Sequence, residues 1–172
     1  MFSRLGVIGG LALAIFLIGK TANAIMGVDG PDSAPPVMVF KNGDAEMDAA
    51  HAKAVATIGD FWSAMERKTP TEDNFSLKVR LPVPGKDDSG EHVWLLDIKR
   101  SDGGMYSGRL DNKPRFVTNV RIGDRVTFSD AMISDWMFTR NGKIVGNESM
   151  RPMLARMPKE KADLYRTMLE NP

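Results

Sequence analysis

Apolar side chains, together with His51, recur at helical spacing in the segment that begins at Asp44. Such a stripe is typical of a helix that buries one face, because every third or fourth position lies on the same side. Asp44 is suited to the N-cap, and Pro70 marks the stop because proline cannot donate a backbone hydrogen bond. The spacing predicts one long N-terminal helix from Asp44 to Glu66. The stripe consists of Met47, His51, Ala54, Ile58, Phe61, Trp62 and Met65.

Alternation of apolar and polar residues follows this segment. From Phe75 to Leu81 the odd positions are apolar and the even ones polar, which predicts a half-buried strand. The segment from His92 to Ile98 is apolar on both faces, as in a central strand. Asn141-Gly142 is the strongest hairpin signal, because both residue types tolerate positive φ. Further short strands are predicted at Met105 to Leu110, Phe116 to Val120, Arg125 to Phe128 and Ile133 to Thr139.

These elements predict an α+β fold. Short strands joined by tight turns favour an antiparallel sheet over a parallel one. We expect the long N-terminal helix to pack on a bent antiparallel sheet. Partial closure of the sheet into a small barrel is an alternative. Helical spacing returns in two short C-terminal segments, Met150 to Met157 and Lys159 to Leu169.

The N-terminal residues have the order of a secretory signal. Arg4 precedes an apolar run of 15 residues, and the segment ends in Thr21-Ala22-Asn23-Ala24. A membrane-spanning helix needs about 20 apolar residues, so this run is short for an anchor. We therefore predict a signal peptide over 1–24, a flexible lead over 25–36, a single domain over 37–172 and a periplasmic location. The alternative is an inner-membrane anchor formed by an uncleaved signal.

Composition narrows the range of functions. Removing 1–24 takes away Arg4 and Lys20, so the 23 basic residues become 21 against 22 acidic ones, and the net charge changes from +1 to −1. A near-neutral chain gives little reason to expect a nucleic-acid partner. The sequence has no cysteine, which excludes disulfides and thiol chemistry. No cofactor or metal site is predicted, because the methionines near the C-terminus favour core packing over copper binding.

Two short segments contain residues that could carry chemistry. His92 follows Glu91 and stands two residues before Trp94, so its imidazole could act as an acid or base or could be a buried hydrogen-bonding group. Asp135 lies between Ser134 and Trp136. Because neighbouring strand residues face opposite sides, an inward Trp136 would leave Asp135 exposed or lining a groove. The alternative is that Asp135 caps a turn or pairs with an arginine such as Arg140 or Arg151.

Several ordered segments together resemble the YegJ-like bacterial domain of unknown function. The likeness runs from about Asp44 to about Leu154, and its most specific parts are the Glu-His-x-Trp and Ser-Asp-Trp strands. The resemblance implies a small bacterial domain, sometimes exported, without an activity to transfer. The segments are Phe61-Trp62, Glu91-His92-Val93-Trp94, Gly108-Arg109-Leu110-Asp111-Asn112-Lys113-Pro114, Ile122-Gly123-Asp124-Arg125-Val126 and Ile133-Ser134-Asp135-Trp136-Met137.

The leading functional hypothesis is a non-enzymatic envelope domain. It would bind a protein, peptide or glycan through a groove, because tryptophan and arginine are frequent interface anchors. The first alternative is a small hydrolase-like enzyme in which His92 is the base and Asp135 or Glu91 orients it. A further alternative is a periplasmic inhibitor or immunity protein. The predicted groove residues are His92, Trp94, Asp135, Trp136 and Arg151.

Overall fold

A computed structural model of the chain describes residues 44–86 and 89–171, together with the backbone of Gly10–Leu11 and Met38–Val39. These two short segments pair with each other as antiparallel strands. The predicted signal and flexible lead otherwise lie outside the described residues. Within the described part of the chain, no helix is both long and apolar enough to cross a membrane.

The N-terminal helical region consists of two helices, α1 (Ala45–Ala56) and α2 (Ile58–Arg67). Asp44 caps α1 as predicted, since its side chain accepts a hydrogen bond from the Met47 amide at 3.1 Å. The predicted single helix is interrupted at Thr57, whose hydroxyl donates to the Lys53 carbonyl at 2.9 Å. A threonine hydroxyl that bonds to the preceding turn competes with the helical pattern and bends the chain.

Apart from the short pair at Gly10–Leu11 and Met38–Val39, the strands form one open antiparallel sheet, which confirms the α+β class. Its six strands are arranged in the order β4-β3-β2-β1-β5-β6. Because β4 and β6 both remain edges, the sheet does not close, and the barrel variant is wrong. The Asn141-Gly142 turn between β5 and β6 has positive φ at both residues, as predicted. The strands are β1 (Glu72–Pro82), β2 (Gly90–Ser101), β3 (Met105–Leu110), β4 (Arg125–Ser129), β5 (Ile133–Arg140) and β6 (Lys143–Gly146).

The strand predicted from Phe116 to Val120 does not form. Residues 111–124 are instead an irregular loop between β3 and β4. The backbone amides of Phe116 and Val117 donate to the side chain of Glu91, at 2.7 and 2.9 Å. Amides bound to one carboxylate are not available for a strand ladder, so a contact distant in sequence overrides local strand propensity.

Helices cover parts of both faces of the sheet. One apolar cluster packs Phe61 and Ala64 of α2 against Leu77, Val79 and Leu95. The second cluster includes the short C-terminal helices α3 (Met150–Leu154) and α4 (Lys159–Met168), both near their predicted places. Burial on both sides explains why the central strands are rich in apolar residues at alternate and adjacent positions. The second cluster consists of Met47, Trp94, Met137, Ile144, Met150, Met153, Leu154, Ala162, Tyr165 and Leu169.

Candidate functional site

A polar cluster lies inside the second core cluster, where three strands meet. Lys78 of β1 stands directly opposite Trp94 of β2 on one side and Asp135 of β5 on the other. Ser149, which precedes α3, completes this centre. The side chains of Lys78, Asp135 and Ser149 are completely buried, so neighbouring protein groups must satisfy their charges and hydrogen bonds in place of water.

The charges of Lys78 and Asp135 are joined through a hydroxyl. The Nζ of Lys78 donates to the Oγ of Ser149 at 2.5 Å, and this Oγ donates to the Oδ2 of Asp135 at 2.6 Å. The Nζ also lies 4.8 Å from the centroid of the Trp94 ring, within cation–π range. The ammonium is therefore balanced by a relayed ion pair and by an aromatic face.

Asp135 also binds backbone amides. Its Oδ1 accepts from the amides of Trp136 at 2.8 Å and Glu148 at 3.2 Å, and its Oδ2 accepts from the amide of Ser149 at 2.9 Å. Through these bonds the carboxylate fastens the start of α3 to β5. The arrangement identifies Asp135 as a structural anchor inside the fold.

The contact between Lys78 and Ser149 has the distance of a base beside a nucleophile. Burial lowers the pKa of Lys78 to about 8, and the charge of Asp135 opposes this shift. Lysines with such pKa values serve as general bases in some enzymes. Here Lys78 and Ser149 have no exposed surface, and the Ser149 proton is directed to Asp135. A substrate cannot reach the hydroxyl in this conformation.

His92 lies beside the cluster and bonds to Ser134. The Nδ1 of His92 is 2.7 Å from the Oγ of Ser134, and this Oγ donates to the Lys78 carbonyl at 3.2 Å. The hydroxyl has one proton, so Nδ1 is the donor in this arrangement. The β1–β5 register shifts here and leaves Ser134 as the extra residue of a bulge. The predicted bond between His92 and Asp135 or Glu91 is not formed.

The imidazole of His92 stacks on that of His51 from α1, with centroids 5.1 Å apart and planes at 18°. Burial, followed by the charges of His51, Lys78 and Arg80, lowers the pKa of His92 to about 3. Burial, followed by the charge of Lys78, also lowers the pKa of His51. Both rings are thus neutral near pH 7, and a base with so low a pKa is poorly matched to proton transfer there.

The depressed pKa of His92 predicts a loss of stability in mild acid. The folded pKa of about 3 lies below the ordinary value of 6.5, so between these values the unfolded chain binds a proton that the folded chain does not. The contribution of His92 to the free energy of unfolding is therefore complete above pH 6.5 and is lost as the pH falls toward 3. From pH 7 to 4.5, urea denaturation should show a loss of about 2–3 kcal/mol that His92→Gln largely removes. Equal pH profiles for the wild type and His92→Gln would contradict this assignment.

Glu91 has a different role from the one predicted. Its buried carboxylate accepts three consecutive amides, those of Arg115 at 2.6 Å, Phe116 at 2.7 Å and Val117 at 2.9 Å. The side-chain Oδ1 of Asn112 also accepts from the Trp94 amide at 2.7 Å. These contacts fasten loop 111–124, which we call the anchored loop, to β2.

The other predicted binding residues are also part of the framework. Trp94 and Trp136 are 1% and 3% exposed, and they belong to different core clusters. The indole of Trp136 donates to the Ala54 carbonyl at 2.9 Å. Arg151 donates to the carbonyls of Gly146 and Asn171, at 3.1 and 2.7 Å. The two indoles therefore do not form a common exposed groove.

Sequence patterns did not identify Lys78 and Ser149 as a pair. Lys78 occupies a polar position of a half-buried strand, where a solvent-exposed lysine is the ordinary expectation. Ser149 precedes a short apolar helix, which is an N-cap signal, and this signal could have drawn attention to it. Among the described residues, no group of three or more histidines and carboxylates could hold a metal ion.

Comparison with known proteins gives matches without an assigned activity. The family model "Uncharacterized protein conserved in bacteria (DUF2314)" matches residues 44–169, and so includes the C-terminal helix that the sequence resemblance left out. The chain is 40% identical over 97 residues to the uncharacterized protein YegJ of Escherichia coli (strain K12), covering 56% of this chain and 61% of that protein.

A second relative is a putative ankyrin repeat protein of Neisseria meningitidis serogroup B (strain ATCC BAA-335 / MC58). It is 31% identical over 130 residues, covering 72% of this chain and 51% of the relative. The chain thus spans between half and about three fifths of the length of these relatives. No solved structure matches.

Proposed function

The chain belongs to the bacterial family DUF2314, and we propose that it is an exported, non-enzymatic binding domain of the cell envelope. The observation that carries the proposal is the three-amide anchor of Glu91, which holds an exposed irregular loop in one conformation. Loops held by a rigid scaffold are frequent binding sites, and a preorganised loop loses less conformational entropy when it binds.

The buried polar cluster supports a binding role over a catalytic one. The groups with the chemistry of a nucleophile and a base, Ser149 and Lys78, are sealed inside the core. The carboxylates of Asp135 and Glu91 hold backbone amides, and the imidazole of His92 contacts Ser134. An enzyme needs these groups within reach of a substrate. Their positions instead favour an internal structural role.

The anchored loop supplies the side chains for recognition. Ile122, near the C-terminal end of the loop, is 59% exposed. This is the largest exposed fraction among the bulky apolar residues in the described part of the chain. Arg115 and Arg121 are exposed on the same loop, and arginine is a frequent interface anchor. A connection of this length without helix or strand is unusual in a compact domain and is commonly functional.

Export is supported by the N-terminal order of charge, apolar run and small residues. The partner would then be a protein, peptide or glycan of the envelope. Fractionation of the native cell, with mass spectrometry of the N-terminus, tests this part. A periplasmic product that begins after Ala24 is expected, whereas a cytosolic product that retains residues 1–24 would contradict it.

The loop surface is tested by matched substitutions of two exposed apolar residues. Ile122 lies on the anchored loop, and Val55, which is 51% exposed, lies on α1. The domain would be incubated with envelope extract, cross-linked and recovered, with melting temperatures measured in parallel. We expect the wild type and Val55→Ser to capture equal amounts of the same partner. Ile122→Ser should capture at least about 10-fold less, because one buried apolar side chain at an interface contributes roughly 1–3 kcal/mol.

The Val55→Ser control distinguishes specific binding by the anchored loop from nonspecific adsorption through any exposed apolar residue. If Ile122→Ser captures as much partner as the wild type, the anchored loop is not the binding surface. Catalysis would be indicated by a small-molecule turnover that disappears in Ser149→Ala while the fold is kept. That result would contradict the non-enzymatic assignment.

A further inference from the structure

The two edges of the sheet differ in how they are covered. At one edge, Ile144 of β6 forms a parallel bridge with Leu169, and its carbonyl accepts from the Glu170 amide at 2.9 Å. The C-terminal segment thus covers part of that edge. At the other edge, β4 pairs with β3 on its inner side, and within the described ranges its outer side pairs with no strand.

The hydrogen-bond register shows which groups of β4 face outward. The amide of Leu110 donates to the Asp124 carbonyl at 2.8 Å, which makes this a hydrogen-bonded pair of the β3–β4 ladder. Bonded pairs alternate in an antiparallel ladder, so Val126 and Phe128 bond to β3. The amides and carbonyls of Arg125, Thr127 and Ser129 therefore point to the open edge.

This edge lacks the usual protection against strand pairing. β4 has no proline and no lysine, and its five pairs with β3 run without a bulge. Natural edge strands are commonly protected by such features or by a covering element. The remaining safeguards are the short length of the strand and the charge of Arg125 at its start. A regular edge that is left unpaired is suited to accept an extended segment.

The side chains beside the edge indicate the chemistry of that segment. Arg125 faces Arg109 across the β3–β4 ladder, and Lys99 of β2 lies on the same exposed face. The nearest acid, Asp97, is paired with Arg109 at 2.7 Å and offers its carbonyl to Arg125 at 3.0 Å. Asp111 also lies near Arg109. Three cations therefore stand against two acids here, and the excess of positive charge favours acidic side chains on this face. On the opposite face, Val126 and Phe128 extend the apolar core.

We propose that β4 is a strand-addition site for an extended segment of a partner protein in which acidic residues alternate with apolar ones. Main-chain bonds to Arg125, Thr127 and Ser129 provide affinity, and the exposed cations select acidic side chains. A second copy of the chain is the poorer occupant, because it would bring the same cations against Arg109 and Arg125. The proposal rests on the binding role above and adds the place and chemistry of the contact.

The test uses a defined peptide and a substitution that affects only the outward backbone. The probe is a fluorescent, end-blocked peptide of four Glu-Val repeats, with four Lys-Val repeats as the charge control, measured by anisotropy against the full chain. Thr127→Pro removes the outward amide without removing a bond to β3. We expect it to weaken Glu-Val binding by about 10-fold, and Thr127→Val, which keeps the amide, to bind as the wild type does.

Two further measurements make the outcome specific. Wild-type protein should bind the Glu-Val peptide at least about 10-fold more tightly than the Lys-Val peptide, and Arg125→Glu should reduce that preference. Hydrogen exchange should slow at Thr127 and Ser129 when the Glu-Val peptide is bound. Equal binding by Thr127→Pro and Thr127→Val, or unchanged exchange at these amides, overturns the proposal.

Self-association distinguishes the alternative occupant. If sedimentation shows a dimer that Thr127→Pro dissociates, the edge serves a second copy, and the partner proposed here is wrong. Partner capture that depends on Ile122, combined with no peptide binding at β4, would leave the proposed function intact and reject this inference alone. If Ile122→Ser captures the partner as well as the wild type does and the peptide still binds at β4, the anchored loop is rejected as the binding surface and the β4 site is retained.

Discussion

Asp135→Asn is expected to lower the free energy of unfolding by about 3–5 kcal/mol, because it leaves the ammonium of Lys78 buried without a counter-charge. The ammonium has Ser149 and the Trp94 ring as its other contacts, and neither carries a full negative charge. The amide side chain keeps one oxygen for the backbone amides and turns an NH2 donor toward the others, so the loss combines the uncompensated charge with lost hydrogen bonds. Urea denaturation at pH 7 would measure it.

The complementary substitution should be less damaging. Lys78→Met is expected to cost about 1–2 kcal/mol, because Asp135 keeps the amides of Trp136, Glu148 and Ser149 as donors. In the double variant, Lys78→Met should recover about 1–3 kcal/mol of the Asp135→Asn loss. Asp60→Asn, at an exposed position of α2, is the matched control and should be near neutral.

The coupling free energy between Lys78→Met and Asp135→Asn tests whether the two charges stabilise each other. If the effects of Lys78→Met and Asp135→Asn simply add, the two charges do not stabilise each other through Ser149. Ser149→Ala provides an independent check, since it removes the relaying hydroxyl and should also destabilise the fold. A larger loss for Lys78→Met than for Asp135→Asn would contradict the proposed asymmetry.

Glu91→Ala is the second substitution with a large expected effect. It removes the acceptor of three amides, and hydrogen bonds to a charged group contribute about 1.5–3 kcal/mol each. Because the loop amides can bind water once released, we expect a net loss of about 3–4 kcal/mol. Hydrogen exchange should accelerate at Arg115, Phe116 and Val117 before the sheet opens.

Graded substitution separates the anchor from general destabilisation. Glu91→Gln keeps one oxygen acceptor and should cost about half as much as Glu91→Ala, with partial protection of the same amides. Glu160→Ala, at an exposed position of α4, should have little effect. Unchanged exchange at Phe116 and Val117 in Glu91→Ala would mean that the loop is held by other contacts.

Local patterns predicted most of the elements but not their interruptions. The alternation from Phe75 to Leu81 and the Asn141-Gly142 turn correspond to a strand and a hairpin in the structure. The break at Thr57 was missed because apolar spacing continues through it. The segment from Phe116 to Val120 has strand-forming residues, yet Glu91, which is at least 25 positions away, binds the amides of Phe116 and Val117.

The sequence patterns singled out His92, Glu91 and Asp135 but not their partners. Glu91 and Asp135 are buried and His92 is half-buried, whereas the alternation along the strand predicted an exposed or groove-lining Asp135. Each has a different partner from the one expected. The bond between Lys78 and Ser149 joins positions 71 apart, and no local spacing indicates it.

The sequence by itself determined the α+β class, the family and the strand alternation, because these follow from local spacing and residue order. Only the tertiary structure decided that Lys78, Asp135 and Ser149 share one buried centre, that Glu91 holds the anchored loop, and that no strand of the described residues pairs with the outer side of β4. A polar side chain inside a protein must find a partner among whichever groups the fold brings near it. That choice depends on strand order and register, which alternation along one strand does not specify.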